Sequence, residues 1–144
     1  MCASMPNTGA SDPLRVAVAV IIDARERVLL TQRHAESHQG GLWEFPGGKL
    51  EPGETLAAAL SRELLEELAI EVRAHVPLLE VEHDYGDKRV LLLVHRVSEF
   101  AGEPHPCEGQ PMRWVARKDL GRYAFPKANL AILECLESVP DLRV

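Results

Sequence analysis

Three glutamates, Glu63, Glu66 and Glu67, stand at i, i+3 and i+4 within the segment "TLAAALSRELLEEL". If that segment is helical, their carboxylates converge on one side of one turn. Like charges at such spacings repel by about 0.2–0.5 kcal/mol per pair, and Arg62 is the only cation between Glu54 and Glu71. The cluster therefore calls for a counter-ion. Oxygen ligands with no His or Cys pair beside them suit Mg²⁺ or Mn²⁺, and Mg²⁺ characteristically binds through one or two carboxylates plus substrate phosphates. Immediately upstream, "WEFPGGKLEPGE" (residues 43–54) holds five glycines and prolines in twelve residues. In such a loop, Gly47 and Gly48 let the backbone approach phosphate and metal with no Cβ in the way. Pro46 and Pro52 stiffen it, so that its carbonyls and Glu54 stay aimed at the carboxylate face. Alone, an acidic run is usually solvated surface and a Gly-Gly pair a turn; side by side they point to a metal-bound pyrophosphate.

The elements that must hold these groups are legible in outline. Thr55 is a suitable N-cap, and Leu56, Leu60, Leu64 and Leu68 recur at i+4 as the buried stripe of a helix ending near Leu68. "RVAVAVII" (15–22) and "VLLTQR" (28–33) read as strands across a polar turn, which predicts a hairpin. "LLEVEHDY" and "KRVLLLVHRV" flank Gly86-Asp87 and predict a second one. "MRWVA" reads as a short late strand, and "KANLAILECLES" as a closing helix with Leu130, Leu133 and Leu136 at near-helical period. Strands plus two packed helices imply one α/β domain, a mixed β-sheet with helices on its faces.

A chain of 144 residues supports a single core, with residues 1–13 as a flexible tail and 14–144 as the folded domain. Apolar residues at 46% and charged residues at 26% argue against disorder, and no apolar run approaches the roughly 18 residues a spanning helix needs. The first residues lack the basic start and apolar stretch of a secretory signal. Cys2, Cys107 and Cys135 offer neither a disulfide framework nor a CxxC site. A cytoplasmic protein with no membrane partner is expected. The formal charge of -6, without any Lys/Arg run, argues against nucleic acid as a partner.

From Gly48 to Ile70 the chain resembles the Nudix box, G-x5-E-x7-R-E-U-x-E-E-x-G-U with U aliphatic. Gly48, Glu54, Arg62, Glu63, Leu64, Glu66, Glu67 and Ile70 match, which is eight of nine defined positions; Ala69 replaces the last Gly. A Gly after a helix usually takes left-handed angles, which cost an L-residue about 1–2 kcal/mol. "VAVAVI", "TQRHAESHQGGLWEFPGGK", "EGQPMRW" and "AFPKANLAIL" extend the similarity to the MutT branch, from about Arg15 to Leu136.

The resemblance implies an α/β/α sandwich and a metal-dependent hydrolase that cleaves a nucleoside triphosphate to a monophosphate and pyrophosphate. In the MutT branch the substrate is 8-oxo-dGTP, removed from the nucleotide pool to prevent mutation. It implies metal ligation by Glu63, Glu66 and Glu67 with a glycine-pair carbonyl, Gly47 ahead of Gly48. Arg62 then orients Glu54 or a ligand glutamate, and Glu108 reaches the metal cluster and serves as base. His38 falls where relatives place a substrate-contacting histidine, and Arg33 or Lys49 adds positive potential. Phe45 and Asn129 fall in the base pocket. Oxidation at C8 turns the guanine N7 acceptor into a donor, so one carboxamide pairs with O6 and N7–H together; adenine also fits an Asn in flipped orientation. A monomer or weak dimer is expected. Two alternatives remain at this stage, a Nudix pyrophosphatase for adenine or pyrimidine nucleotides and a non-catalytic base-recognition module.

Overall fold

The computed structural model describes residues 12–35 and 40–139. Most of the expected N-terminal tail lies outside the described residues. The strands are β1 (Leu14–Ile21), β2 (Arg27–Gln32), β3 (Trp43–Glu44), β4 (Gly47–Lys49), β5 (Glu71–Asp84), β6 (Arg89–Ala101) and β7 (Met112–Ala116). The helices are α1 (Leu56–Leu68) and α2 (Leu130–Ser138), and 3₁₀ turns at Arg117–Arg122 and Lys127–Asn129 lead into α2. Among the described residues no helix is long and apolar enough to cross a membrane.

A mixed sheet in the order β4-β1-β6-β5 forms the centre. Within it β1 runs parallel to β6 and antiparallel to β4, and β5 pairs antiparallel with β6. The alternation along β1 explains its central place. Val18 and Val20 join one apolar cluster with Ile132 and Leu136 of α2, whereas Ala17, Ala19 and Ile21 join another with Leu60, Leu64 and Leu68 of α1. A strand buried on both faces lies inside a sheet with helices on either side, and the expected α/β/α layering follows.

The expected hairpin of β1 and β2 does not form. Both edges of β1 are occupied by β4 and β6, so β2 pairs instead with β3 and β7 in a separate antiparallel sheet. Across the turn the two meet at the Ile22–Val28 bridge and at the hydrogen bond from the Asp23 N–H to the Arg27 carbonyl at 3.0 Å. The second expected hairpin is present, with Asp84 opposite Arg89. The glycine-rich loop is also revised, because Gly47, Gly48 and Lys49 form β4 against Val18, Ala17 and Val16. A Cβ on Gly47, whose φ is +149°, would lie 1.9 Å from the Ala17 carbonyl oxygen, so the glycine is required by this close strand approach. In α2 the buried residues are Ile132 and Leu136, while Leu130 is 48% exposed. Leu130 opens the helix, and the i, i+4 pair 132/136 is the one turned to the sheet.

Candidate active site

Helix α1 presents its acidic face because its apolar face is fully committed. The Thr55 hydroxyl accepts a hydrogen bond from the Ala58 N–H at 3.1 Å and caps the first turn. Leu60, Leu64 and Leu68 are completely buried against the sheet, and truncating any one to Ala would cost about 2–5 kcal/mol. Ala59 is fully buried with them. The helix ends on Ala69 at φ 58° and ψ 33°, with the Ala69 N–H directed to the Leu64 and Leu65 carbonyls. The left-handed cap expected where the box has glycine is therefore present without one.

Arg62 organises the carboxylates. Its Nε and Nη2 grip Glu54 at 2.7 and 2.9 Å, Nη1 reaches Glu63 at 3.0 Å and Glu66 at 3.4 Å, and Nη2 also donates to the Lys49 carbonyl at 3.1 Å. One guanidinium thus bridges Glu54 and the two helix glutamates, and its planar donor fork suits such bridging. The Arg62 hydrogen bonds, with the Glu51 backbone N–H, hold the Glu54 carboxyl down at about 2. Glu67 is held far above the ordinary carboxylate range, to about 9, first by burial and then by the negative charges of Glu63 and Glu108. Glu44 is also raised, chiefly by burial, against the pull of Arg33 at 2.9 Å.

The donor chemistry fits a hard divalent cation. A Cβ on Gly48 would lie 2.3 Å from the Glu63 carboxyl carbon, so this glycine makes room for the carboxylate to rest against the β4 backbone. Burial and the neighbouring charges of Glu63 and Glu108 raise the Glu67 carboxyl, and a cation between these side chains would supply the counter-charge they lack. Glu63, against the β4 backbone, and the half-buried Glu67 are the carboxylates that could hold such a cation. The Glu66 side chain is 59% exposed and turned to Arg62 at 3.4 Å. Among the described residues no three such side chains already form a coordination shell.

Beside this face lies a cleft of about 680 Å³ whose walls include Arg33, Phe45, Gly47, Gly48, Lys49 and Asn129. Phe45, only 4% exposed, stacks on Phe125 with centroids 5.4 Å apart. Asn129 occupies the N-cap position of α2 without using its side chain as a cap, and it lines the cleft. A smaller recess of about 180 Å³ shares Arg33 and Glu44 with the main cleft and adds Glu67, Glu108 and Gln110. The two spaces join the apolar cleft to the carboxylate face. Glu108 is exposed and lines this recess together with Glu67. His38 lies outside the described residues.

Sequence reasoning missed Glu44, Gln110 and the hairpin-tip residues Tyr85, Asp87 and Lys88, all of which line these spaces. Glu44 had a signal, a single charge between Trp43 and Phe45, and Gln110 stands two residues after Glu108 within "EGQPMRW". The hairpin-tip residues reach the site only through chain segments distant in sequence.

Comparison with known proteins agrees with this architecture. The NUDIX domain model matches residues 17–135. An 8-oxo-dGTP diphosphatase of Escherichia coli is 37% identical over 125 residues, covering 86% of this chain and 96% of that protein. A CTP pyrophosphohydrolase of the same organism is 37% identical over 126 residues, covering 88% and 93%. A solved MutT structure from a study of Aliivibrio salmonicida and Vibrio cholerae superposes with a TM-score of 0.78 at 32% identity, covering 87% of this chain and 97% of that one. Hydrolases of this kind depend on a divalent metal. With the box residues on β4, on α1 and in the turns that flank the helix, and the domain model spanning most of its length, this chain belongs to the Nudix domain family.

Proposed function

We propose that this Nudix hydrolase cleaves 8-oxo-dGTP, with water, to 8-oxo-dGMP and pyrophosphate, using Mg²⁺. The observation that carries the reading is that Phe45 and Asn129 share one cleft with Gly47 and Gly48, beside the Glu63–Glu67 face. A base and a polyphosphate can therefore be held in one continuous site. The name of the 37%-identical E. coli relative supports the same substrate.

In this reading Glu63, Glu66 and Glu67, with a carbonyl of Gly47 or Gly48, hold the cation. When bound, Mg²⁺ neutralises phosphate charge and lowers the pKa of a coordinated water. That role answers how a chain of formal charge -6 retains an anionic substrate. Arg62 keeps Glu63 and Glu66 from recoiling from one another, and Glu54 keeps Arg62 in place. Glu108 accepts the proton of the attacking water. Lys49 faces the phosphates, whereas Arg33 is engaged by Glu44 and acts through it. Asn129 donates from its NH₂ to O6 and accepts the N7–H of the oxidised base. Unmodified guanine would face its carbonyl with a second acceptor, and that mismatch discriminates.

A second reading, a pyrimidine nucleotide pyrophosphatase, is favoured by the equal identity to the CTP pyrophosphohydrolase. Initial rates of pyrophosphate release on all common and 8-oxo-substituted nucleoside triphosphates, with Mg²⁺ and again with chelator, separate the two. Preference for 8-oxo-dGTP that vanishes with chelator is expected. Preference for CTP or an adenine nucleotide would replace the substrate assignment, and chelator-resistant turnover would remove the metal assignment.

A further inference from the structure

Glu108 stands where its own neighbours should repel it. Its charge acts on both Glu67 and Glu44, and all three line the same recess. The segment that carries it, between β6 and β7, must be held there by other contacts. Two lie at the end of α1, where the His105 and Cys107 N–H groups donate to the Leu68 and Glu67 carbonyls at 2.9 and 3.0 Å. These satisfy carbonyls that a helix terminus otherwise leaves unpaired. They place the loop but leave the turn beyond Pro106 to be fixed. There the Gly109 N–H closes onto the Pro106 carbonyl at 3.0 Å, and the Glu108 N–H donates to Oε1 of Gln110 at 3.0 Å.

Gln110 differs in kind from the loop around it. It is 7% exposed and, with Thr31, one of only two buried polar side chains among the described residues, while Cys107, Glu108 and Gly109 are exposed. A carboxamide enclosed in this way cannot swing out to solvent, so its oxygen is a fixed acceptor. A buried polar group without partners is costly, which keeps the bond closed.

We infer that Gln110 is a positioning residue: its buried Oε1 anchors the Glu108 backbone N–H and so holds the Glu108 carboxylate beside Glu67 against mutual repulsion. The inference rests on the proposed role of Glu108 in the reaction. Gln110 acts through Glu108, by way of this one backbone hydrogen bond.

The test is a double-mutant cycle on the full chain. Gln110→Met keeps the side-chain length and removes the acceptor. It is expected to lower kcat about tenfold with KM changed by less than about twofold, the scale of one lost buried hydrogen bond. Glu108→Gln is expected to lose at least as much, and the double variant to be no slower than Glu108→Gln alone. Losses that multiply in the double variant, or a change confined to KM, would overturn the positioning role while leaving Glu108 in place. Wild-type turnover in Glu108→Gln would remove Glu108 from the reaction and this inference with it. Should Gln110→Met fail to fold, hydrogen exchange on the wild-type chain decides. The Glu108 amide is expected to be protected although its residue is exposed, and exchange at the rate of a free peptide would overturn the inference.

Discussion

Replacing Ala69 by Gly should stabilise the protein without altering its chemistry. Ala69 closes α1 at φ 58° and ψ 33°, where the Cβ of an L-residue crowds the following carbonyl oxygen. That crowding costs about 1–2 kcal/mol. Ala69 is exposed, so removing its methyl group forfeits almost no buried surface. The strain also has no local escape. The Ala69 N–H is tied to Leu64 and Leu65, and the segment between β6 and β7 bonds the Leu68 and Glu67 carbonyls. A Cβ on Gly102 would come within 3.1 Å of the Ala69 carbonyl oxygen, a measure of how closely the neighbouring backbone confines this turn. Against the relief stands the greater freedom of glycine in the unfolded chain, about 0.4–1 kcal/mol. The difference is a gain of about 0.8 kcal/mol. For a domain of this size that raises Tm by about 2–3 °C. Calorimetric or optical melts of both forms, with kcat measured in parallel, check this. A Tm that stays level or falls would refute the strain argument, and a large drop in kcat would show that the cap positions Glu67 as well as ending the helix.

Asn129→Ala should lower the rate on 8-oxo-dGTP relative to dGTP about tenfold, the range of one buried polar mismatch, with the midpoint of metal activation unchanged; an unaltered ratio would take Asn129 out of base recognition. For Glu54, held at about 2 by Arg62, the sign is that of a depressed carboxylate. Its stabilisation is present above the unfolded value near 4.5 and is lost as pH falls toward 2, so Glu54→Gln should flatten the acid limb of a plot of stability against pH. An unchanged limb would show that the Arg62 contact does not persist in solution. Glu67 has the opposite sign, because its raised value makes the metal-free fold bind a proton that the unfolded chain releases. Metal-free stability should therefore fall as pH rises from about 4.5 to about 9, and Mg²⁺ at pH 8 should restore it. Glu67→Gln should abolish turnover while raising metal-free stability at pH 8, and equal melts for the two metal-free proteins would argue against a destabilised Glu67.

Short-range periodicity determined a good part of this protein directly from its residues. The i, i+3, i+4 spacing of Glu63, Glu66 and Glu67 and the opposing leucine stripe define two faces of one helix, whatever the rest of the chain does. Thr55 at its start and Gly86-Asp87 between β5 and β6 act within a few residues of themselves, and both appear where expected. Pairing between distant segments was a different matter. A strand has two hydrogen-bonding edges, and which neighbours take them is a competition that local pattern does not contain. So β1 gave both edges to β4 and β6, the adjacent β2 was left to β3 and β7, and the glycine-rich loop became strand β4. The same non-local choices brought Glu44 and Arg33 together, set Glu108 beside Glu67, and enclosed Gln110. The carboxylate face could be read from the chain alone, whereas the cleft beside it exists only because segments remote in sequence close around it.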